Sequence, residues 1–188
     1  RCVFTACRYP SVYLKDNLME TNLSKSNLKA VIQQVNHNAT SWIGHLYGGN
    51  KNHISGQTFT CPATGQLDSI QVFSECVTNN GPVNLTIHSF DAATKNWGPA
   101  LETSSVQFNT TDTGKWISFP LHGLTLNAGK VYGFRMKSEA GLIGVGEAAG
   151  SFDQPTNIGG QEWSADAEDQ PGNYYSYLSL AFKVALRA

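Results

Sequence analysis

Two spacings of apolar residues divide the chain. From Leu14 to Val35 they stand at Leu14, Leu18, Leu23, Leu28, Val31, Ile32 and Val35, mostly three or four apart, which is the spacing of one helix face. Ser24 or Ser26 is placed to cap a second segment that runs to about Asn36, where His37 and Asn38 interrupt it. The pattern predicts a helical N-terminal segment within residues 1–50, as two short helices packed on the remainder of the chain. After Asn50 the texture changes to short runs rich in Val, Ile, Phe and Thr, separated by Gly, Pro, Asn and Asp clusters.

Those runs predict strands at Gly56–Cys61, Gln66–Ser74, Val83–Phe90, Leu101–Phe108, Lys115–Leu121, Lys130–Met136, Leu142–Gly146 and Tyr175–Leu186. In Ser69-Ile70-Gln71-Val72-Phe73 and in Asn84-Leu85-Thr86-Ile87-His88, apolar and polar residues largely alternate, so each strand has one buried face and one wet face. Short strands without helices between them favour packed antiparallel sheets over a parallel α/β sheet. The expected architecture is mainly β: an antiparallel jelly-roll-like β-sandwich over residues 51–188, with the short helical N-terminal segment beside it. The stretch Ala148–Asn173 is long for a hairpin connection, and long loops on a rigid scaffold are where function tends to sit.

Composition narrows the partners. The 188 residues are 40% hydrophobic and 14% charged, enough apolar material for a substantial core. Thirteen basic against fourteen acidic side chains leave a formal charge of -1, without the broad positive field that holds a phosphate backbone, so nucleic acid is not an expected partner. No stretch is long and apolar enough to cross a bilayer as a helix. The sequons at Asn22, Asn38, Asn84 and Asn109 carry almost no weight in a chain so rich in Asn, Ser and Thr.

Cys2, Cys7, Cys61 and Cys76 form an even set with no C-x-x-C, which fits two disulfides in an oxidising compartment better than a zinc ribbon. If Gln57–Cys61 and Leu67–Glu75 pair across a turn at Pro62–Gln66, Cys61 faces the start of the second strand, far from Cys76. Bridges from Cys2 and Cys7 into the sheet are then preferred to a local Cys61–Cys76 bridge.

The run from Ser55 to Ile70, with its Phe59-Thr60-Cys61-Pro62-Ala63-Thr64-Gly65-Gln66-Leu67-Asp68-Ser69-Ile70, resembles the first hairpin of bacterial extracellular jelly-roll β-sandwich modules of the carbohydrate-binding type. Val83–Asp91, Trp116-Ile117-Ser118-Phe119, Leu124-Thr125-Leu126-Asn127-Ala128-Gly129-Lys130-Val131-Tyr132-Gly133-Phe134-Arg135 and Leu180-Ala181-Phe182-Lys183-Val184 continue the likeness, over roughly residues 55–188. The resemblance implies a sandwich fold and a secreted or cell-surface setting. It rests on turns and core positions, no ligand residue of the family maps onto a position here, and the N-terminal part lies outside it.

Signatures of catalysis are missing. Gly144–Gly150 has one residue too many for G-x-G-x-x-G, and Gly123–Lys130 has the wrong spacing for a P-loop and is followed by Val131. There is no G-x-S-x-G and no H-E-x-x-H. Asp91, Glu102, Glu147, Asp153 and Glu162 are the carboxylates from which a glycoside-cleaving pair would be drawn. Sugar binding asks instead for aromatic faces with amides and carboxylates for the hydroxyls. Trp97 and Trp163, read as loop tryptophans, with Tyr174 and Tyr175 after the Pro171-Gly172-Asn173 turn, are the candidate ligand-binding residues. Each also has a plain alternative, that of covering a sheet end.

Histidine offers a rival chemistry. His37, His45 and His53 recur at eight-residue intervals and His88 lies in a β segment, so two or three could converge on copper or zinc. No tight His-x-His spacing supports this, and solvated or hydrogen-bonded side chains are the plainer reading. Asp166, Glu168 and Asp169 beside Gln170 offer hard oxygen ligands for calcium, though without the EF-hand glycine and distal glutamate. The leading expectation is an extracytoplasmic, non-catalytic module that binds glycan or cell-surface polysaccharide. A copper- or zinc-binding protein, a structural adhesion or assembly subunit and a polysaccharide-cleaving enzyme come after it in that order, with the oligomeric state open.

Overall fold

The computed structural model describes residues 28–45, 52–151 and 160–187. Among these residues fourteen strands run in chain order: β1 Leu28–Gln34, β2 Ala39–His45, β3 Asn52–Thr60, β4 Gly65–Asn79, β5 Gly81–Asp91, β6 Asn96–Phe108, β7 Lys115–Pro120, β8 Thr125–Leu126, β9 Val131–Lys137, β10 Leu142–Ala149, β11 Glu162–Ala165, β12 Asn173–Tyr175, β13 Leu178–Leu180 and β14 Phe182–Arg187. A single 3-10 turn at Thr110–Asp112 is the only helical element among the described residues.

Pairing is antiparallel and the strands form one sheet, in the order β1-β14-β4-β10-β2-β3-β9-β5-β6, with β11 and β12 continuing from β3. The sheet curls back on itself. Phe182 of β14 lies 6.3 Å from Phe59 of β3 and 5.6 Å from Phe134 of β9, ring centre to ring centre, although these strands stand far apart in the sheet order. Between the facing halves runs a common apolar core. Leu67, Ile70, Val72, Val184 and Leu186 come from one side and Phe59, Leu85, Ile87, Phe134 and Met136 from the other. Period-two patterning builds this directly, since a strand whose alternate residues are Leu85 and Ile87 has only one face to bury.

Three sequence expectations need correction. The described part of the helical N-terminal segment is strand: Leu28–Gln34 pairs with β14 and Ala39–His45 with β10. Val31, Ile32 and Val35 have the spacing of a helix face, and in the structure Ile32 is buried while Val35 is exposed; their β-branching suits a strand once a partner edge is present. In β1, Ile32 and Gln34 are buried while Gln33 between them is exposed, which is period two. Residues 1–27, with the rest of that segment and Cys2 and Cys7, lie outside the described residues.

The second correction concerns the hairpin at Pro62. β3 and β4 do not pair with each other; β3 pairs with β9, β11 and β2, and β4 with β14, β10, β7 and β8. Residues 61–64 carry the chain from one half of the curl to the other. The third is that Cys61 and Cys76 carry free thiols. Cys61 is buried in the core, its thiol donates to the Ala63 carbonyl at 3.1 Å, and burial pushes its pKa up. Among the described residues no helix is long and apolar enough to cross a membrane.

Candidate functional site

The site follows from one register line. Tyr174 of β12 stands opposite Trp163 of β11, Trp163 opposite Gly56 of β3, Gly56 opposite Arg135 of β9, Arg135 opposite Thr86 of β5, and Thr86 opposite Thr103 of β6. Directly opposed residues share a face. Phe134 and Met136, on either side of Arg135, lie in the core, so this line runs along the outside of the curl. The neighbouring line holds Thr58, Gly133, His88 and Ala100.

At one end the aromatic side chains form a small cluster of their own, apart from the main core. Trp163, Ile54 and Ala165 are buried, with Trp97 and Tyr174 packed against them. Trp97 meets Trp163, Phe90 and His88 edge-on, at 5.4, 5.1 and 5.6 Å between ring centres. Glycine makes room for them: a Cβ at Gly133 would come 2.7 Å from Trp97 Cζ3, and one at Gly56 3.4 Å from Trp163 Cε3. The Trp163 indole N–H donates to the Pro171 carbonyl at 2.9 Å.

Both tryptophans are therefore strand residues, where the sequence suggested loops. The turn before β6 is Ala92–Lys95, and Asp91 holds it by accepting from the Ala93 N–H at 2.9 Å and the Thr94 hydroxyl at 2.7 Å. Trp163 is 0% exposed, so no ligand reaches its ring. Tyr174 is half-buried and donates to the Lys95 carbonyl at 2.9 Å. Tyr175, the next residue on the strand, takes the opposite face and stands opposite Glu162.

What this cluster supports is a guanidinium. The Arg135 Cζ lies 4.7 Å from the Trp97 ring centre and 5.3 Å from that of Trp163. Such cation–π contacts contribute on the order of 0.5 to 2 kcal/mol each and fix where the charge sits. Burial lowers the Arg135 pKa, against the opposing pull of Tyr174 and Glu168, but an arginine stays charged in protein. No ion pair or hydrogen bond engages it among the described residues; Glu168 pairs instead with Lys137, at 2.6 Å.

Arg135 opens into a cavity of about 570 Å³, which is lined also by Asn84, Thr86, Thr103, His88, Lys137, Glu168, Ile54 and Ala100. Its volume lies in the range of small-ligand sites, roughly 300 to 1,000 Å³. Thr86 and Thr103 hydroxyls bond to each other at 2.9 Å. His88 is buried and its Nδ1 sits 3.0 Å from the Gly98 carbonyl, which can only accept, so Nδ1 carries the proton. Burial, partly offset by that hydrogen bond and reinforced by Arg135, lowers the His88 pKa, leaving a neutral ring whose Nε2 is an acceptor.

The four histidines do not converge. His37 Nδ1 lies 2.8 Å from Glu75 Oε2, and His53 Nδ1 2.8 Å from Asp166 Oδ1. Because Gly44 stands opposite His53, the adjacent His45 points to the other face of the sheet. His88 belongs to the cleft. Of the acidic loop, Asp166 is taken by His53 and Glu168 by Lys137. Among the described residues, no group of three or more His, Cys, Asp or Glu side chains is arranged to hold calcium, copper or zinc.

Two of the five carboxylates singled out from the sequence do meet, inside the protein. Glu162 and Glu147 are 1% and 9% exposed. Burial first, then the hydrogen bond and charge of Glu147, push the Glu162 pKa up to about 9, with the Ser41 hydroxyl pulling the other way. Glu162 is thus a neutral acid at pH 7. Glu102 accepts from the His122 N–H at 2.9 Å, Asp91 holds its turn, and Asp153 lies outside the described residues.

A second aromatic group lies on the other half of the curl. Phe73 stacks on His37 at 4.2 Å and meets Trp116 edge-on at 5.5 Å, while Lys183 Nζ lies 3.9 Å from the Trp116 ring centre. The nearby hollow, about 240 Å³ and lined by Gln34, Asn36, His37 and Asn38, is less than half the size of the Arg135 cleft.

Alternation in the sequence could have found the cleft. Gly133-Phe134-Arg135-Met136-Lys137 places Arg135 and Lys137 on the face away from Phe134 and Met136, just as Asn84, Thr86 and His88 stand away from Leu85 and Ile87. That these two faces adjoin is a matter of strand order, which alternation does not carry.

No known family matches the chain, and no curated protein does. Among solved structures it is similar to a chain described as the cysteine protease and lectin-like domains of Cwp84, a surface layer associated protein of Clostridium difficile. The likeness has a TM-score of 0.46 and 11% identity, and covers 72% of this chain and 32% of that one.

Proposed function

We propose that this chain is a non-catalytic, extracytoplasmic binding module of jelly-roll-like build that takes a saccharide in the Arg135 cleft. The observation that carries this reading is the line Arg135, Thr86, Thr103 across neighbouring strands, with Asn84 and His88 on the same face. Sugar hydroxyls both donate and accept, and hydroxyl, amide and neutral imidazole groups serve both directions. Ile54 and Ala100 supply the apolar patches that the C–H faces of a sugar ring require. The groups sit on strands rather than loops, which holds them in place before the ligand arrives.

The aromatic residues act behind the ligand in this reading, by setting Arg135 and His88. Glycan-array binding by the intact protein tests it, followed by calorimetry on Asn84→Ala and Thr103→Val. Binding that falls at least tenfold in either variant, with the fold intact by circular dichroism, is expected. An array with no binder, or variants that bind as the parent does, removes the cleft from consideration as a sugar site.

A further inference from the structure

We infer that the saccharide taken by this cleft is acidic, and that Arg135 receives its carboxylate; this rests on the saccharide reading above. The starting point is a charge without a partner. Arg135 is half-buried, and among the described residues no carboxylate forms an ion pair with it: Glu168, whose charge reaches it, pairs with Lys137 at 2.6 Å, and Asp166 pairs with His53 at 2.8 Å. A guanidinium withdrawn from water and left unpaired is unfavourable, so an anion entering the cleft gains more there than on an open surface.

Position and shape specify the anion further. Trp97 and Trp163 hold the guanidinium at 4.7 and 5.3 Å, which fixes a planar fork of donors in advance of binding. That fork matches the two oxygens of a carboxylate. The charge balance agrees. Among the residues lining the cleft, Lys137 is offset by Glu168 and His88 is neutral, which leaves Arg135 as the positive group; Glu139, 3.9 Å from Lys137 but outside the lining, limits the field further and favours a monoanion over a phosphate dianion. Thr86 stands directly opposite Arg135, so its hydroxyl lies on the same face of the sheet as the guanidinium and is available to a ring hydroxyl of the same sugar.

Calorimetry on the intact chain tests this, with three sets of probes: uronic-acid oligosaccharides (galacturonate, glucuronate and mannuronate), the same oligosaccharides after reduction of their carboxyl groups, and sulfated galacto-oligosaccharides. At least one uronate is expected to bind at least tenfold more tightly than its reduced counterpart, and Arg135→Gln should bring the two to the same affinity. Arg135→Lys, which keeps charge but not the fork, should retain only part of the preference. A salt titration of the unaltered protein serves as a check that needs no variant: uronate affinity should fall with salt while neutral-sugar affinity stays level. Equal or tighter binding of the reduced sugars overturns the acidic preference and leaves the saccharide reading standing. Preference for sulfated over carboxylated probes overturns the carboxylate assignment. Absence of binding by every probe and by the glycan array overturns both.

Discussion

Arg135 and Glu162 show two fates of a charged residue in this sheet. Arg135, on the outer face, keeps its charge against aromatic rings; Glu162, one face inward, gives its charge up. The second has a consequence for stability. Between the ordinary carboxyl pKa of 4.5 and about 9, the folded chain holds a proton on Glu162 that the unfolded chain has lost. Its contribution is complete below the lower value and gone above the upper one, so stability declines with rising pH, by at most about 1.4 kcal/mol per pH unit. Urea unfolding at pH 6 and pH 8 should show the decline in the parent and a much flatter profile in Glu162→Gln, which keeps the shape without the proton. A parent whose stability is unchanged between these pH values contradicts the neutral acid. Alternation in the sequence puts Glu162 and Trp163 on opposite faces, but which face is dry depends on the strand beside them.

At the scale of elements, the strands after Asn50 were legible. Expected Val83–Phe90 is Gly81–Asp91 in the structure, Lys115–Leu121 is Lys115–Pro120, and Lys130–Met136 is Val131–Lys137. In Val83–Phe90 β-branched residues (Val83, Thr86, Ile87) and near alternation agree, and Tyr132, Phe134 and Met136 alternate with Gly133 and Arg135 in β9. β1 reads as helix because Leu28, Val31, Ile32 and Val35 satisfy the helical spacing, and a strand at a sheet edge is decided by its partner; β2 falls in the 1–50 segment assigned to helix, past the residues that carry that spacing. β11 is four residues long, the least over which alternation can be read. Hydrogen exchange separates the two readings of β1. The amides that it commits to the β14 ladder should exchange slowly and show cross-strand contacts from Ile32 to Val184. Sequential contacts of helical type through Leu28–Gln34 would refute the strand.

For the molecule as a whole, the curl matters more than the number of strands. Phe182 joins the halves, since it meets Phe59 and Phe134 from the opposite side of the core. Phe182→Ala should lower stability by about 3 to 5 kcal/mol, the range for removing a buried aromatic ring. Because both halves share that core, far-UV circular dichroism and tryptophan fluorescence should still report one transition in the parent. Separate transitions would mean that the halves fold independently.

The order of residues along the chain was sufficient for strand class, for most strand positions and for which residues of a strand share a face, because alternation is a local property that survives without knowledge of neighbours. It also shows none of the common catalytic motifs. The sheet order, the crossing at residues 61–64, the burial of Trp163 and the meeting of Glu147 with Glu162 belong to the tertiary structure alone. So does the cleft, whose Thr86 and Thr103 stand 17 residues apart and whose Arg135 lies further along the chain, neighbours only when β9, β5 and β6 align. Contacts of that kind are made by pairing between distant segments, and no local pattern encodes which edge a strand will join.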